Sequence, residues 1–585
     1  MHDDIMRTIA AAGNKFGLSA GQFACLVACA SVSFVVCCAF LLPAVQDSLL
    51  MLGDLLVQRP LVRPKWHGRF FAIGAFGILL HCVFFFLMFF YQEGLRKENT
   101  DARAHIFVVV FALACVCIIM FRANWTFGDD WEYLTTTAVG KYVSPSFITN
   151  MGIGRFYPLG HIHYNIPLFF FRLFGQESGL PVEAHFATIA VCYVATILCL
   201  YVLFIKIEPV EYVRHKILTA AAACAFVLSK TFSDIYMRLV YAETQVVMLF
   251  SVFLLMYYMA LETDNIKYYI MAGITAVYAS YCKEPVFGVF WIIAVTNCLF
   301  KFNIASKKER CFYTALIVNG IIFLVAYYFL SFKTSPSFYN QLAIDRTGWK
   351  FFAYLFGGNP VLLLGFFVCS IRIFYILIKK ERCMLYYDST LFAGIGYIFA
   401  YMVLKLDAYY LFAPAIVLFL PSFVWWAKYL YQKKRNYFLL YCYIIMVMCT
   451  YNGIFLSSVR ENLYERKICT TYFTSLLEKY NQGNIFIWYE SDNRLNMNNV
   501  YVAARGWRKV FANALLNYLR KTEVHDFFTL QKDMHQIDFR KKFLFFYPVD
   551  NDQYQPMAEV LATKLAENHF TLDAVICDIS VYMRQ

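Results

Sequence analysis

The sequence is poor in charge. Only 16% of its 585 residues are charged, while 60% are hydrophobic. In an average soluble domain about 25% of the residues are charged and about 45–50% are apolar. A single large soluble core is excluded, because so apolar a composition needs surface that faces lipid. Apolar runs of roughly 17–25 residues, long enough to cross about 30 Å of hydrocarbon as a helix, recur along the first three-quarters of the chain. The composition therefore predicts an integral membrane protein.

Several patterns typical of other protein classes are also missing. The apolar runs, for example 70–90, do not alternate in polarity, so the short alternating strands of a membrane β-barrel are excluded. The 19 cysteines include no C-x-x-C pair, which removes the usual signal for a zinc site or thioredoxin-like chemistry. The first apolar run is longer than the core of a signal peptide, and we expect it to be retained as a helix. The membrane part is thus predicted to be α-helical.

The runs predict a polytopic membrane protein with about 11–13 spanning helices. They lie at 22–43, 69–91, 105–121, 184–205, 216–230, 242–261, 268–282, 286–300, 312–331, 352–378, 389–404, 409–427 and 438–456. From the third helix onward, one set of alternate loops holds 18 Lys and Arg and the other, longer set holds 11. Because Lys and Arg in short loops favour the cytoplasm, the first set is predicted to be cytoplasmic. The basic loop 44–68 breaks this pattern and leaves the topology of the first two helices open.

The chain is predicted to have two parts. Residues 1–456 form the polytopic transmembrane domain, with a long non-cytoplasmic loop at 122–183. Residues 457–585 form a small extracytoplasmic α/β domain, because stretches with helical periodicity alternate with short β-rich runs. The predicted helices are 461–480, 510–521 and 557–568, and the predicted strands are 484–489, 543–547 and 574–582. This tail is nearly neutral, so the net charge of +13 belongs to the membrane part and no nucleic-acid partner is expected.

The most informative segment is 124–133, which reads Asn-Trp-Thr-Phe-Gly-Asp-Asp-Trp-Glu-Tyr and follows the third predicted helix. Carboxylates beside hydrocarbon are costly and usually serve a functional site or a water-filled cavity. The same pattern also suits a solvated helix start, where one Asp caps free backbone N–H groups. We favour the functional interpretation, with Asp129 and Asp130 as candidate catalytic residues.

A second polar segment, 154–165, follows in the same loop. Glycine and proline shape a tight turn there, and Arg155, His161, His163 and Asn165 supply donors for a phosphate or a sugar. His-x-His with a carboxylate is also a partial site for a divalent ion. Since no third fixed ligand is evident, we expect no cofactor, and a divalent metal stays as the alternative.

Charged residues also fall at the predicted outer ends of the helices. Lys283 and Glu284 stand between two short apolar runs, so their turn should be tight. The others are Asp234, Arg238, Glu243, Lys405 and Asp407. Side chains that reach toward the interface explain a lone lysine well but explain a Lys-Glu pair in a tight turn less well. We therefore predict that Arg238, Lys283 and Glu284 bind substrate.

An acidic pair in an early outer loop at 127–133, a Lys-Glu turn at 280–285 and an outer α/β tail together resemble the GT-C superfamily. This superfamily of integral membrane glycosyltransferases includes protein O-mannosyltransferases and aminoarabinose transferases. The resemblance implies a sugar donor carried on a polyprenyl phosphate or diphosphate. It also implies an early-loop Asp that activates a glycan, lipid or protein acceptor at the extracytoplasmic membrane face, with inversion at the sugar.

On this hypothesis the chain is a hexosyl- or pentosyltransferase of a cell-envelope glycan, in a bacterial inner membrane. Asp129 is the preferred general base, and Asp130 orients a donor or caps a helix. Arg155, Arg238 and Lys283, supplemented by His161 or His163, hold the donor phosphate, and Lys283→Met should weaken donor use without disturbing the fold. The alternatives are a lipid or polysaccharide transporter, which would do no chemistry, and a sugar-chain polymerase.

Overall fold

The structure, a computed structural model, describes part of the chain. The described residues are 100–121, 137, 140–143, 156–160, 162–177, 180, 182–207, 230–237, 241–301, 304–332, 359–378, 383–403, 409–433, 441, 444–445, 485–488, 528–531, 543–546, 562–576 and 579–585. The helices predicted at 22–43 and 69–91, and almost all of those predicted at 216–230 and 438–456, lie outside them.

The described membrane part is helical, as predicted. Its helices are α1 (Thr100–Phe121), α2 (Asn165–Leu173), α3 (Val182–Ile207), α4 (Lys230–Met237), α5 (Tyr241–Thr263), α6 (Ile266–Ser280), α7 (Val286–Lys301), α8 (Lys307–Tyr327), α9 (Pro360–Ile378), α10 (Leu385–Val403) and α11 (Ala413–Lys433). Short 3₁₀-helices precede α2 at Ile162–Tyr164 and α11 at Tyr409–Phe412, and a π-helical turn, Tyr328–Phe332, follows α8.

Within the described residues, five helical segments are long and apolar enough to cross a membrane. They are Glu183–Ile207, Ala242–Thr263, Lys307–Leu330, Pro360–Ile378 and Tyr410–Leu430. Two further apolar helices, His105–Cys117 and Val286–Lys301, are shorter. The prediction of a multi-pass helical membrane protein is confirmed.

Four predicted helix starts, those at 105, 312, 352 and 389, are wrong by four residues or more, and two of them have an evident cause. The helix predicted at 312–331 begins at Lys307, because the Ser306 hydroxyl accepts a hydrogen bond from the Glu309 N–H at 3.1 Å and caps a charged first turn. The helix predicted at 352–378 begins at Pro360, a residue suited to the first helical position because it has no N–H to satisfy. Hydropathy alone missed both starts, because caps rather than apolar character decide them.

Helices α5, α6 and α7 are joined by short turns, so consecutive members of this group run antiparallel. Asp264, in a left-handed conformation with φ of 47°, turns α5 into α6, and Asn265 caps α6 by accepting from the Lys267 N–H. The Tyr258 hydroxyl donates to the Lys206 carbonyl at 3.1 Å, which places the C-terminal end of α5 beside that of α3. Helix ends therefore sort into two groups, and the group that carries Lys206, Lys301 and Lys308 is called the basic end. Three of the loops predicted to be cytoplasmic, 262–267, 301–311 and 379–388, connect helices there.

A buried ion pair closes the basic end between α9 and α10. The Arg372 guanidinium donates to both carboxylate oxygens of Asp388, from Nε and Nη2 at 2.8 Å each. Asp388 also accepts from the Met384 N–H, and the guanidinium lies 5.7 Å from the centre of the Trp425 ring. A bidentate pair of this kind fixes both distance and orientation, so α9 and α10 are held at a set spacing where they meet α11.

Away from this ion pair, small residues let helices approach closely. Phe419 of α11 lies against Gly365 of α9 and Gly394 of α10, and a Cβ on either glycine would overlap the phenyl ring. Interfaces between membrane helices favour small residues for this reason. Three helices therefore close around one aromatic ring.

The described part of the tail contains a five-stranded sheet. Its strands are β1 (Ile485–Trp488), β2 (Phe528–Gln531), β3 (Phe543–Phe546), β4 (Phe570–Ile576) and β5 (Ile579–Arg584), in the order β2-β1-β3-β5-β4. β1 runs parallel to β2 and β3, whereas β5 runs antiparallel to β3 and β4.

The predicted strands 484–489 and 543–547 are confirmed as β1 and β3. The single strand predicted at 574–582 is wrong, because Ile576 pairs with Ile579 and the chain reverses between them into the β4–β5 hairpin. β2 was not predicted. Of the predicted tail helices, 562–567 is helical, and 461–480 and 510–521 lie outside the described residues.

Candidate functional site

The structure describes three of the predicted site residues with their side chains, namely His163, Lys283 and Glu284. The others, together with two further charged residues at predicted helix ends, lie outside the described residues; they are Asp129, Asp130, Arg155, His161, Arg238, Lys405 and Asp407. The catalytic role of the two aspartates and the phosphate-binding role of the other residues stay predictions.

The Lys-Glu turn lies at the end of the bundle opposite the basic end. α6 ends at Ser280, and the chain turns through two backbone hydrogen bonds, from the Cys282 N–H to the Ala279 carbonyl at 3.0 Å and from the Val286 N–H to the Lys283 carbonyl at 3.1 Å. Pro285 stands immediately before α7, where its fixed φ suits the entry to a helix. The turn is as tight as its sequence predicted, so the backbone of Lys283 and Glu284 is held in place.

Lys283 is paired with a carboxylate from another helix. Its Nζ lies 2.8 Å from Oε1 of Glu243, in the first turn of α5, and the side chains are 12% and 1% exposed respectively. A helix N-terminus favours a carboxylate electrostatically, which suits Glu243 to this position. The ammonium also lies 5.8 Å from the centre of the Tyr157 ring, within the range of a cation–π contact. With Glu284, only 6% exposed beside it, these residues form the Lys283 cluster.

The ion pair changes one expectation from the sequence. Lys283→Met was expected to leave the fold undisturbed, but it would strand the buried carboxylate of Glu243 without its cation. An uncompensated buried charge is strongly destabilising. The sequence marks Glu243 as a charged helix end but not as a site residue, because its separation of 40 positions from Lys283 hides the contact.

The segment 156–160 of the long predicted outer loop docks on this turn. The Leu159 N–H donates to the Tyr281 carbonyl at 3.0 Å, and the Gly160 N–H closes a turn by donating to the Tyr157 carbonyl at 2.9 Å. A Cβ at Gly160 would lie 2.8 Å from the Cys282 carbonyl oxygen, so the backbones meet closely only because residue 160 is glycine. The described segment 156–160 of the predicted tight loop and the Lys-Glu turn are therefore neighbours.

Helix α10 borders the cluster with hydroxyl groups. The Tyr397 and Tyr401 hydroxyls lie 3.3 Å apart, both side chains are buried, and both lie within electrostatic range of Glu243 and Glu284. The Cys282 thiol donates to Oε1 of Gln245 at 3.5 Å, which adds a further polar contact between the turn and α5. Four segments of the chain thus meet at the Lys283 cluster.

The second half of the 154–165 segment is more structural than predicted. Asn165 accepts from the Val143 N–H at 2.7 Å and donates to the Val143 carbonyl at 2.9 Å, so its amide ties two parts of the loop together. Arg172 donates to the Gly140 carbonyl as well. His163 is buried, with its ring centre 4.9 Å from that of Tyr164. The predicted ligand role of Asn165 is replaced by a role in fixing the loop that also carries the acidic segment.

A second buried histidine, not predicted, lies nearby. Nε2 of His185 is 3.0 Å from the Thr137 hydroxyl, and its ring centre is 6.0 Å from that of Tyr164. Within the described ranges no three His, Cys, Asp or Glu side chains come together in a group that could hold a metal ion. His161 and the aspartate pair lie outside those ranges, so both the expectation of no cofactor and its metal alternative stay open.

The described residues define a multi-pass helical membrane protein with a buried charged cluster where the segment 156–160 meets the bundle. Neither a protein-family model nor a curated protein sequence matches the chain. Among solved structures it is similar to ArnT from Cupriavidus metallidurans bound to undecaprenyl phosphate, at 12% identity and a TM-score of 0.44 over 83% of this chain and 98% of that one.

It is also similar to the oligosaccharyltransferase of Archaeoglobus fulgidus in its apo form, at 12% identity and a TM-score of 0.43 over 76% of this chain and 66% of that one. The same archaeal enzyme, AglB, in complex with an inhibitory peptide and a dolichol-phosphate, matches at 15% identity and a TM-score of 0.26 over 72% and 56%. At these identities and TM-scores the likeness concerns the course of the chain and says nothing of substrate or catalytic residues.

Proposed function

We propose that this chain is a membrane glycosyltransferase that moves a sugar from a polyprenyl-phosphate-linked donor to an acceptor at the extracytoplasmic membrane face. The observation that carries the proposal is the Lys283 cluster, in which an ammonium group is held at the bundle end where the 156–160 segment docks. A cation in this position suits a phosphate whose lipid chain lies among the helices.

The electrostatic argument concerns the medium around the cluster. A phosphate at the membrane boundary lies in a medium of lower dielectric than water, so a nearby cation stabilises it more than in solution. Lysine offers three N–H donors as a point charge, and arginine adds bidentate contacts. Lys283, with Arg155 and Arg238 as predicted partners, would hold the donor phosphate, and Glu284 would bind substrate beside it.

The acidic segment 124–133, which belongs to the same 122–183 loop as Arg155, carries out the chemical step. Asp129 accepts the proton of the acceptor hydroxyl as its oxygen bonds to the anomeric carbon. The bond from that carbon to the phosphate oxygen breaks, and the phosphate leaves with the electron pair, stabilised by the cations that hold it. Attack opposite the leaving group inverts the anomeric centre. Asp130 orients a donor or caps the helix start.

The proposal places the 122–183 loop and the 457–585 domain on the extracytoplasmic side of a bacterial inner membrane, where the acceptor is a glycan, a lipid or a protein. The basic end then faces the cytoplasm, in accord with the bias of Lys and Arg in short loops.

The test uses purified full-length protein in lipid nanodiscs with a labelled polyprenyl-phosphate sugar. Asp129→Asn retains size and removes basicity, and transfer should fall by about 10²-fold or more, the usual loss when a general base is removed. Asp130→Asn should lose less. Asp264→Asn, at an exposed carboxylate of the basic end, is the matched control and should retain transfer.

Near-normal transfer by both loop variants would show that the aspartates only cap a helix and would refute the mechanism. If the wild-type protein moves the lipid across a bilayer without consuming the donor, the chain is a transporter and the proposal fails.

A further inference from the structure

We infer that Glu243 is a positioning residue for the donor phosphate, which it serves by holding the Lys283 ammonium in the orientation that meets that phosphate. The inference rests on the proposed function and adds to it a residue from a different helix, one that does not itself touch the substrate.

The geometry of the ammonium carries the first step. The ammonium nitrogen of Lys283 forms an ion pair with Oε1 of Glu243 at 2.8 Å, and the centre of the Tyr157 ring lies 5.8 Å from the same nitrogen. A free lysine side chain samples many rotamers. Lys283, held on two sides, presents its remaining donor capacity in a defined direction.

The Glu243 carboxylate, which anchors the Lys283 ammonium, is itself held in place. Glu243 is 1% exposed and belongs to the first turn of a 23-residue helix, so its carboxylate has no route to solvent by a change of rotamer. Its helix also contacts the turn of Lys283 through Gln245 and Cys282. Anchor and amine are therefore fixed relative to each other by the backbone, which is what preorganisation of a binding group requires.

The net charge of the cluster alone predicts that neutralising Glu243 strengthens donor binding, whereas the inference predicts that it weakens donor binding. The Lys283 cluster contains two carboxylates and one ammonium. If Glu243 were only a nearby negative charge, neutralising it would favour a phosphate and tighten donor binding. If Glu243 positions the ammonium, the same change should weaken donor binding.

The experiment compares Glu243→Gln with Glu243→Asp by steady-state transfer in nanodiscs, with the KM measured separately for a polyprenyl-phosphate sugar donor and for the acceptor. Glu243→Gln should raise the donor KM about tenfold, which corresponds to a loss of about 1.4 kcal/mol of ammonium–phosphate interaction when the ammonium is no longer oriented by its ion pair. The acceptor KM should stay within about twofold, because a change at a site that does not interact with the acceptor has little effect on acceptor binding. Glu243→Asp retains the charge and should recover most of the donor affinity.

The matched control is Glu309→Gln at the basic end, where Glu309 makes a similar ion pair with Lys301 at 3.2 Å. This variant should leave the donor KM unchanged even where it lowers thermal stability. An equal rise of the donor KM in Glu309→Gln would show a general effect of destabilisation and would overturn the inference.

A donor KM in Glu243→Gln that is unchanged or lower than in wild type overturns the inference alone and leaves the proposed function standing. Wild-type protein that does not consume the donor overturns the proposed function and the inference together.

Discussion

Removing only the Lys283 charge should destabilise the protein, and removing its partner's charge as well should restore much of the loss. Glu243 and Lys283 are 1% and 12% exposed with 2.8 Å between their charged atoms, so the Glu243 carboxylate stays buried when the lysine charge is gone. Breaking a buried pair on one side typically costs about 3–5 kcal/mol, whereas replacing both members by hydrophobic residues of similar volume is often neutral. Lys283→Met should therefore lose about 3–5 kcal/mol of unfolding free energy. The Glu243→Leu/Lys283→Met double variant should lose far less.

The assay is reversible unfolding in mixed detergent micelles, followed by the fluorescence of the tryptophans, with wild type, both single variants and the double variant closing a mutant cycle. The chain offers a control pair of the same chemistry at its surface. Lys308 lies 3.0 Å from Asp264 and the two side chains are 44% and 50% exposed, so Lys308→Met should change stability by less than about 1 kcal/mol.

The reasoning is refuted if Lys283→Met unfolds at the wild-type denaturant concentration, because Glu243 would then not need its cation. It is refuted equally if the double variant is no more stable than Lys283→Met. The second outcome would mean that the lysine stabilises the bundle by packing of its alkyl stem rather than by charge.

Three further outcomes are expected. Gly160→Ala should reduce transfer and make the outer loop more accessible to protease, because the added Cβ meets the Cys282 carbonyl at 2.8 Å; wild-type transfer and protease resistance would contradict this. The Asp264 pKa is lowered by hydrogen bonds from a serine hydroxyl and a lysine, so its stabilising effect is present above the pKa of the unfolded state and is lost as the pH falls through the folded pKa. Asp264→Asn should therefore flatten the acid limb of the stability profile, and an unaltered limb would refute that assignment. Reporter cysteines in 122–183 and 457–585 should both be labelled from outside intact cells, and protection of either would overturn the active-face assignment.

Much of the helical fold could be predicted because each spanning helix needs a long apolar run, and runs of that length are rare in soluble domains. Helix ends were harder, since a helix can extend past its apolar part wherever a cap is present. Ser306 adds a charged turn to α8 in this way. In the tail, the β-rich run 574–582 contains no sequence signal for the chain reversal of the β4–β5 hairpin, in which Ile576 pairs with Ile579.

Only part of the candidate site could be predicted from the sequence. Lys283 and Glu284 stand out because charge in a tight turn between apolar runs is unusual, and the glycines and proline of 154–165 indicate a constrained loop. The partner of Lys283 could not be predicted, because a contact between α5 and the α6–α7 turn depends on how the helices pack. Arg372 and Asp388 could not be paired for the same reason, since Arg372 stands inside one apolar run and Asp388 just before the next until packing brings them together.

The packing of Phe419 between Gly365 and Gly394 limits how this protein can move. A ring enclosed by two bare backbones leaves α9, α10 and α11 no freedom to slide or separate without opening a void or forcing a clash. Hinge motions should carry these helices as a single block. A lipid tail that enters sideways from the bilayer has to pass elsewhere on the bundle perimeter, and crosslinks between these three helices should leave turnover intact.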